Sequence, residues 1–210
     1  MSLSYGSDAV KFTKTSLPRL WLVELSPQRD TRGFFARTFC EEEFAARRLE
    51  TNFVQHSISY SKIRGTVRGL HFQNPPHEET KVVSCYKGTI WDVVVDLRQD
   101  SPTYGQWTSF ILSGENRRSL YIPKGCAHGF QTLTDHVEVA YMISTSYVPE
   151  AAAGVRFDDP VFKIDWPLSA TAMSDKDRNW PNYILDPSAS DAMLSAGAYN
   201  AASPMSSRRP

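Results

Sequence analysis

The stretch that decides the fold is Lys81-Val-Val-Ser-Cys-Tyr86, followed by Lys87-Gly88 and then Thr89-Ile-Trp-Asp-Val-Val-Val-Asp-Leu97. Both runs are rich in β-branched and aromatic residues, and a two-residue turn signal separates them. That combination predicts two strands joined as a hairpin. Reading outward toward the C-terminus, Ser101-Pro-Thr-Tyr-Gly105 turns the chain into a run from Trp107 to Leu112. Ser113-Gly-Glu-Asn116 turns it into Ser119–Ile122, and Pro123-Lys-Gly125 leads to Gly129–Leu133. A last run spans Val137–Ser144. Short strands with turns about every ten residues predict a mostly β sandwich or barrel and argue against alternating βαβ units.

Helix is scarce. Glu41–Arg48 has acids in its first turn and Arg47 and Arg48 in its last, an order that suits the helix dipole. Ser174-Asp-Lys-Asp177 reads as an N-cap, Ser174, opening one more short turn. Both are expected at the periphery. From about Pro187 to Pro210 the chain is rich in Ala, Ser, Pro and Met and lacks periodicity, which predicts a flexible tail. The expected organisation is therefore a single domain over residues 1–186 and a low-complexity tail over 187–210.

Composition narrows the function classes. The 210 residues carry 23 Lys plus Arg against 23 Asp plus Glu, with 41% hydrophobic residues. That is enough apolar material for a core, and zero net charge gives no overall electrostatic basis for binding nucleic acid or a membrane surface. Cys40, Cys85 and Cys126 are odd in number and form no C-x-x-C pair, so neither a disulfide framework nor a zinc knuckle is indicated. The N-terminus lacks the form of a signal peptide, and no apolar run approaches the roughly 20 residues of a membrane span. A cytoplasmic protein is expected.

Nucleotide and hydrolase signatures such as G-x-G-x-x-G, a Walker A loop and G-x-S-x-G are missing. His77-Glu-Glu-Thr-Lys81 starts like a zincin motif but ends in Lys. What remains is polar chemistry inside the strand region. Gly65-Thr-Val-Arg-Gly-Leu-His-Phe-Gln73 puts Arg68 and His71 in one short β segment, with Lys81 on the next strand. This is either a decorated strand edge or a site. Burying an Arg, a His and a Lys together is costly without a ligand, which favours the site. Tyr121-Ile-Pro-Lys-Gly-Cys-Ala-His-Gly-Phe130 places His128 just beyond a sharp turn, as a core residue or as a second contribution to that site.

Together these segments resemble the paired half-motifs of the cupin jelly roll. Metal-binding cupins carry a second His where this chain has Gln73, so three metal ligands cannot be assembled and no metal is expected. Within the cupins, the chain from about Leu20 to Trp180 resembles the dTDP-4-dehydrorhamnose 3,5-epimerases. The ordered set that carries the resemblance comprises Asp30-Thr-Arg-Gly-Phe-Phe35, Gln55 with Ser59 and Ser61, Gly65–His71 and Asp92–Arg98. It continues through Ser101–Thr103, Ala127–Phe130, Asp159-Pro160, Asp165–Pro167 and Ser174–Asp177.

The resemblance implies a nucleoside-diphosphate 4-keto-6-deoxy sugar as substrate, no cofactor and a homodimer. It implies His71 as base, Tyr141 as acid, Lys81 as stabiliser of the enolate and Asp177 as the hydrogen-bond partner of His71. Arg68 and His128 are implied as substrate contacts. Arg32, Phe35, Arg37, Gln55, Ser57 and Tyr147 are implied around the nucleotide and sugar, with Arg32 reaching a neighbouring subunit. On the residues alone, Tyr141, Phe35 and Tyr147 read equally as packing aromatics, Asp177 as a first-turn acid and Arg32 as a surface residue.

Three positions depart from the family pattern. Arg37 stands where Glu is common, Ser57 where Asn is common, and Ala152 where a Glu follows Tyr-x-Pro-Glu. These departures leave open a mono-epimerase, or an enzyme for a CDP- or GDP-linked sugar. A non-catalytic sugar-nucleotide binder is the remaining alternative. Arg32, Arg37, Arg68, Lys81 and His128 would together make the barrel interior cationic.

Overall fold

The computed structural model describes residues 10–186. The expected tail, 187–210, lies outside the described residues. A six-stranded sheet runs in the order β1 (Val10–Lys14), β2 (Trp21–Leu25), β10 (Arg118–Ile122), β7 (Lys81–Lys87), β12 (Val137–Ile143) and β5 (Gln55–Ser61). A five-stranded sheet runs β13 (Ala152–Gly154), β6 (Val67–Gln73), β11 (Cys126–Thr132), β8 (Thr89–Asp96) and β9 (Trp107–Ser113). A small hairpin, β3 (Gln28–Asp30) with β4 (Gly33–Phe35), and two short helices, α1 (Glu41–Ala45) and α2 (Asp175–Arg178), complete the chain. The architecture is mostly β, of the cupin type. Among the described residues, no helix is long and apolar enough to cross a membrane.

Three apolar clusters explain the layering. The core between the sheets holds Val83, Cys85, Ile90, Val94, Leu120, Phe130 and Val139. Val93 and Val95, which point the other way along β8, pack with Leu70, Val155 and Phe162 from the returning C-terminal segment. This is why Val93-Val94-Val95 is apolar without alternation: β8 is covered on both faces. On the far side, Val82 and Tyr121 pack with Phe44 of α1.

The expected hairpin between Lys81–Tyr86 and Thr89–Leu97 is corrected by the topology. Both strands form, but β7 pairs with β10 and β12 while β8 pairs with β11 and β9. The chain changes sheets at Gly88, whose φ of +74° is open to glycine and strained for other residues. A Cβ there would lie 2.6 Å from Thr134 Oγ1, so the corner has no room for a side chain. The first helix also ends earlier than its charge pattern predicts, at Ala45, and Arg48 takes a φ of +56°.

One irregularity positions the site. Along a regular strand Arg68 and His71, three residues apart, would face opposite ways. In β6 the pairing with β11 shifts between the His128–His71 and Phe130–Arg68 partners, placing an extra residue on β6. Both side chains therefore line the same cavity. Gly69 makes the shift possible, with φ +115° and a position for Cβ only 2.6 Å from Gly129 Cα.

Candidate active site

A cavity of about 710 Å³ opens between the two sheets. His71 and His128 approach it from the five-stranded sheet, and Lys81, Tyr141 and Gln55 from the six-stranded one. The segment before α2 closes one side with Ala172, Met173 and Ser174, and α2 itself contributes Asp177.

His71 Nε2 lies 2.6 Å from Asp177 Oδ1; the imidazole is 46% exposed while the carboxylate is 5% exposed. Asp177 is fixed on its other side by two backbone groups. Its Oδ2 accepts from Gly69 N at 3.2 Å, and its own N–H donates to Ser174 Oγ at 3.1 Å. Burial alone would raise the carboxyl, but the bonds from His71, Gly69 and Ser174 hold it below the ordinary aspartate range.

Tyr141 stands on β12, in the facing sheet, with its hydroxyl 3.2 Å from Ser59 Oγ. Burial raises this phenol to about 12, so it holds its proton at neutral pH. Lys81 Nζ lies 2.8 Å from Glu79 Oε1 and donates to the His71 carbonyl at 3.3 Å. Its ammonium has three donors, so one is left for a ligand. Arg68 lines the cavity, with Nε donating to Ser61 Oγ and Nη2 to the Tyr60 carbonyl.

His128 sits directly across from His71 in the β-ladder and forms a second pair, Nε2 to Asp92 Oδ2 at 2.8 Å. Here both partners are sealed, the side chains 5% and 0% exposed. Burial pushes the Asp92 carboxyl up, against the attraction of His128.

The chain belongs to the dTDP-4-dehydrorhamnose 3,5-epimerase family. The family model of that description matches residues 14–184. A dTDP-4-dehydrorhamnose 3,5-epimerase from Methanothermobacter thermautotrophicus is 46% identical over 173 residues, covering 81% of this chain and 92% of the relative. The crystal structure of the Bacillus anthracis enzyme of the same name, with TDP and PPi bound, superposes with a TM-score of 0.81 at 41% identity. That match covers 83% of this chain and all of the other. The Legionella pneumophila enzyme, solved in complex with dTDP-4-keto-L-rhamnose, matches with a TM-score of 0.75 at 39% identity, over 80% of this chain and 89% of its own.

Against the epimerase family pattern, the cavity brings together nine of the twelve expected residues: His71, Tyr141, Lys81, Asp177, Arg68, His128, Gln55, Ser57 and Tyr147. Gln55 accepts from the Tyr147 backbone N–H at 3.0 Å, tying two of the expected nucleotide contacts together. Arg32, Phe35 and Arg37 are not brought to the cavity. Arg32 tops the β3–β4 hairpin, 88% exposed and paired with Asp30, and Phe35 is 61% exposed on β4. Arg37 turns its guanidinium toward Cys40 Sγ at 3.7 Å. Of the five residues expected to make the interior cationic, Arg68, Lys81 and His128 line the cavity and Arg32 and Arg37 do not. Lys81 and Arg68, joined by Lys176, face the carboxylates of Glu79 and Asp177.

Two of the three departures from the family, Ser57 and Ala152, line the cavity, and Arg37 does not. Sequence reading missed Asp92 and Glu79. Asp92 carries a usable signal: a carboxylate amid the apolar residues of Thr89–Leu97 must find a partner indoors. Glu79 carries none beyond its place in a failed zincin pattern. Among the described residues, no group of three His, Cys, Asp or Glu side chains is arranged to hold a metal ion.

Proposed function

We propose that this chain is an isomerase that inverts C5, or C3 and C5, of a nucleoside-diphosphate 4-keto-6-deoxyhexose, dTDP-linked as in its relatives. The observation that carries the reading is the pair of proton-transfer groups on opposite walls of one cavity. His71 faces in from one sheet, backed by a buried carboxylate, and Tyr141 faces in from the other with its proton held.

The chemistry follows from the ketone. A carbonyl at C4 acidifies the C–H bonds at C3 and C5, so inversion is proton removal and return and needs no redox cofactor. With Nε2–H donated to Asp177, the other ring nitrogen of His71 carries the lone pair that takes the proton. Asp177, held anionic, stabilises the imidazolium that results. Negative charge then builds on the C4 oxygen, where the spare donor of Lys81 stabilises the enolate. Tyr141 returns a proton from the opposite face. Its phenolate is reprotonated from solvent and His71 releases its proton there, so the cycle closes without net change.

Arg68 serves the diphosphate, His128 is a further substrate contact, and Gln55, Ser57 and Tyr147 serve the nucleotide. Arg32 and Phe35, exposed on their hairpin, act in the neighbouring subunit's site of a homodimer. Residues 1–186 constitute the catalytic domain of a cytoplasmic enzyme. The test is incubation with dTDP-4-keto-6-deoxyglucose in deuterated water, read by proton NMR. Loss of the C5 signal, alone or with C3, supports the reading; no exchange at either carbon with dTDP-, CDP- and GDP-linked substrates sinks it.

A further inference from the structure

Among the described residues, Glu79 is the one carboxylate lining the cavity to which the proposed reaction gives no task. Its side chain is 7% exposed, and one oxygen is spent on Lys81 at 2.8 Å. The other, Oε2, is buried with no hydrogen-bond partner among the described residues. A buried carboxylate oxygen without a donor is costly, and such an atom beside a ligand cavity points to a donor that arrives with the ligand.

The substrate class restricts what that donor is. Lys81 serves the C4 oxygen, and Glu79 is within hydrogen-bond reach of Lys81. The required donor must therefore sit next to the ketone. On one side C5 carries a methyl group and the ring oxygen, which donate nothing. On the other side C3 carries a hydroxyl. We propose that Glu79 is a specificity-determining residue that accepts a hydrogen bond from the C3 hydroxyl, selecting 4-keto sugars that carry one. This rests on the epimerase reading and adds to it a requirement on the substrate. It also fixes the geometry at C3, since the hydroxyl and the proton removed there share one carbon.

The test compares two substrates, the 4-keto-6-deoxy and the 4-keto-3,6-dideoxy dTDP-hexose, by the rate of deuterium entry at C5. The wild type should favour the 3-hydroxy sugar by on the order of 10- to 100-fold in kcat/KM, the span expected for a hydrogen bond to a charged group. Glu79→Leu should erase that preference, because its remaining losses, through Lys81 or through folding, fall equally on both sugars. Glu79→Gln, which keeps an acceptor oxygen, should retain the preference.

A preference that persists in Glu79→Leu overturns the proposal while leaving the epimerase reading intact. So does a wild type that exchanges both sugars equally. A wild type that exchanges neither sugar, whether dTDP-, CDP- or GDP-linked, overturns the epimerase reading itself, and the proposal with it.

Discussion

The two His–Asp pairs have the same composition and lie side by side, His71 with Asp177 and His128 with Asp92, yet their surroundings separate them. His71 is nearly half exposed and its partner is fed by a backbone N–H and a helix cap, which holds Asp177 anionic. His128 and Asp92 are sealed between the sheets, and Asp92 Oδ1 has no partner among the described residues. Burial with few donors raises one carboxyl, and burial with several lowers the other. The first pair can pass a proton to a ligand; the second is built to hold a side chain in place. Pairing alone does not make a catalytic dyad, whereas exposure of the imidazole and saturation of the carboxylate do.

That contrast can be broken most strongly at Asp177. Asp177→Ala leaves His71 without its orienting carboxylate, and kcat for exchange should fall on the order of 10²–10⁴-fold with KM little changed. An unchanged kcat in steady-state assays would reduce Asp177 to a helix-end residue. Removing the other carboxylate should act on stability instead. Asp92→Ala leaves the buried His128 imidazole without its partner, at a cost of about 3–5 kcal/mol. Urea unfolding should show this loss, and it should exceed that of Asp177→Ala, whose stranded imidazole is open to solvent.

The pairs also differ in the sign of their pH dependence. Asp177 has a depressed folded pKa, so its contribution is present above the ordinary value of 3.8 and is lost as pH falls toward the folded one. Asp92 has a raised folded pKa, so its contribution is lost as pH rises above 3.8. Unfolding free energies measured from pH 3 upward should therefore change slope in opposite directions for Asp177→Asn and Asp92→Asn. Slopes of one sign would contradict the contrast. The smallest effect is at Ser174, whose hydroxyl caps α2 and anchors Asp177. Ser174→Ala should cost about 1 kcal/mol in thermal unfolding and lower exchange only a few-fold.

The same contrast shows how far the sequence could be read. The strands around Lys81–Ile143 were legible because β-branched runs and turn residues alternate there. Their pairing was not, because Lys87-Gly88 signals a turn without saying whether it joins neighbours or crosses between sheets. Strands β1 to β5 and β13 escaped notice: β3, β4 and β13 are only three residues long and too short for a pattern, whereas the alternation of Val10–Lys14 and the apolar run Trp21–Leu25 were signals left unused. Most of the expected site residues meet in one cavity, but Arg32 and Phe35 do not, because residues on a peripheral hairpin point wherever that hairpin packs, and Arg37, just after it, turns to Cys40 instead. Arg68 and His71 are instructive in a different way. Their spacing puts them on opposite faces of an ideal strand, and only the extra residue at Gly69 brings them together.

The central claim, that the open pair moves the proton while the sealed pair supports it, is tested most directly by His71→Asn and His128→Asn compared in deuterated water. Proton NMR of the 4-keto-6-deoxy sugar should show no deuterium entering C3 or C5 with His71→Asn. With His128→Asn, deuterium should still enter, at a raised KM. Exchange that survives in His71→Asn, or that vanishes in a folded His128→Asn at saturating substrate, would contradict the account.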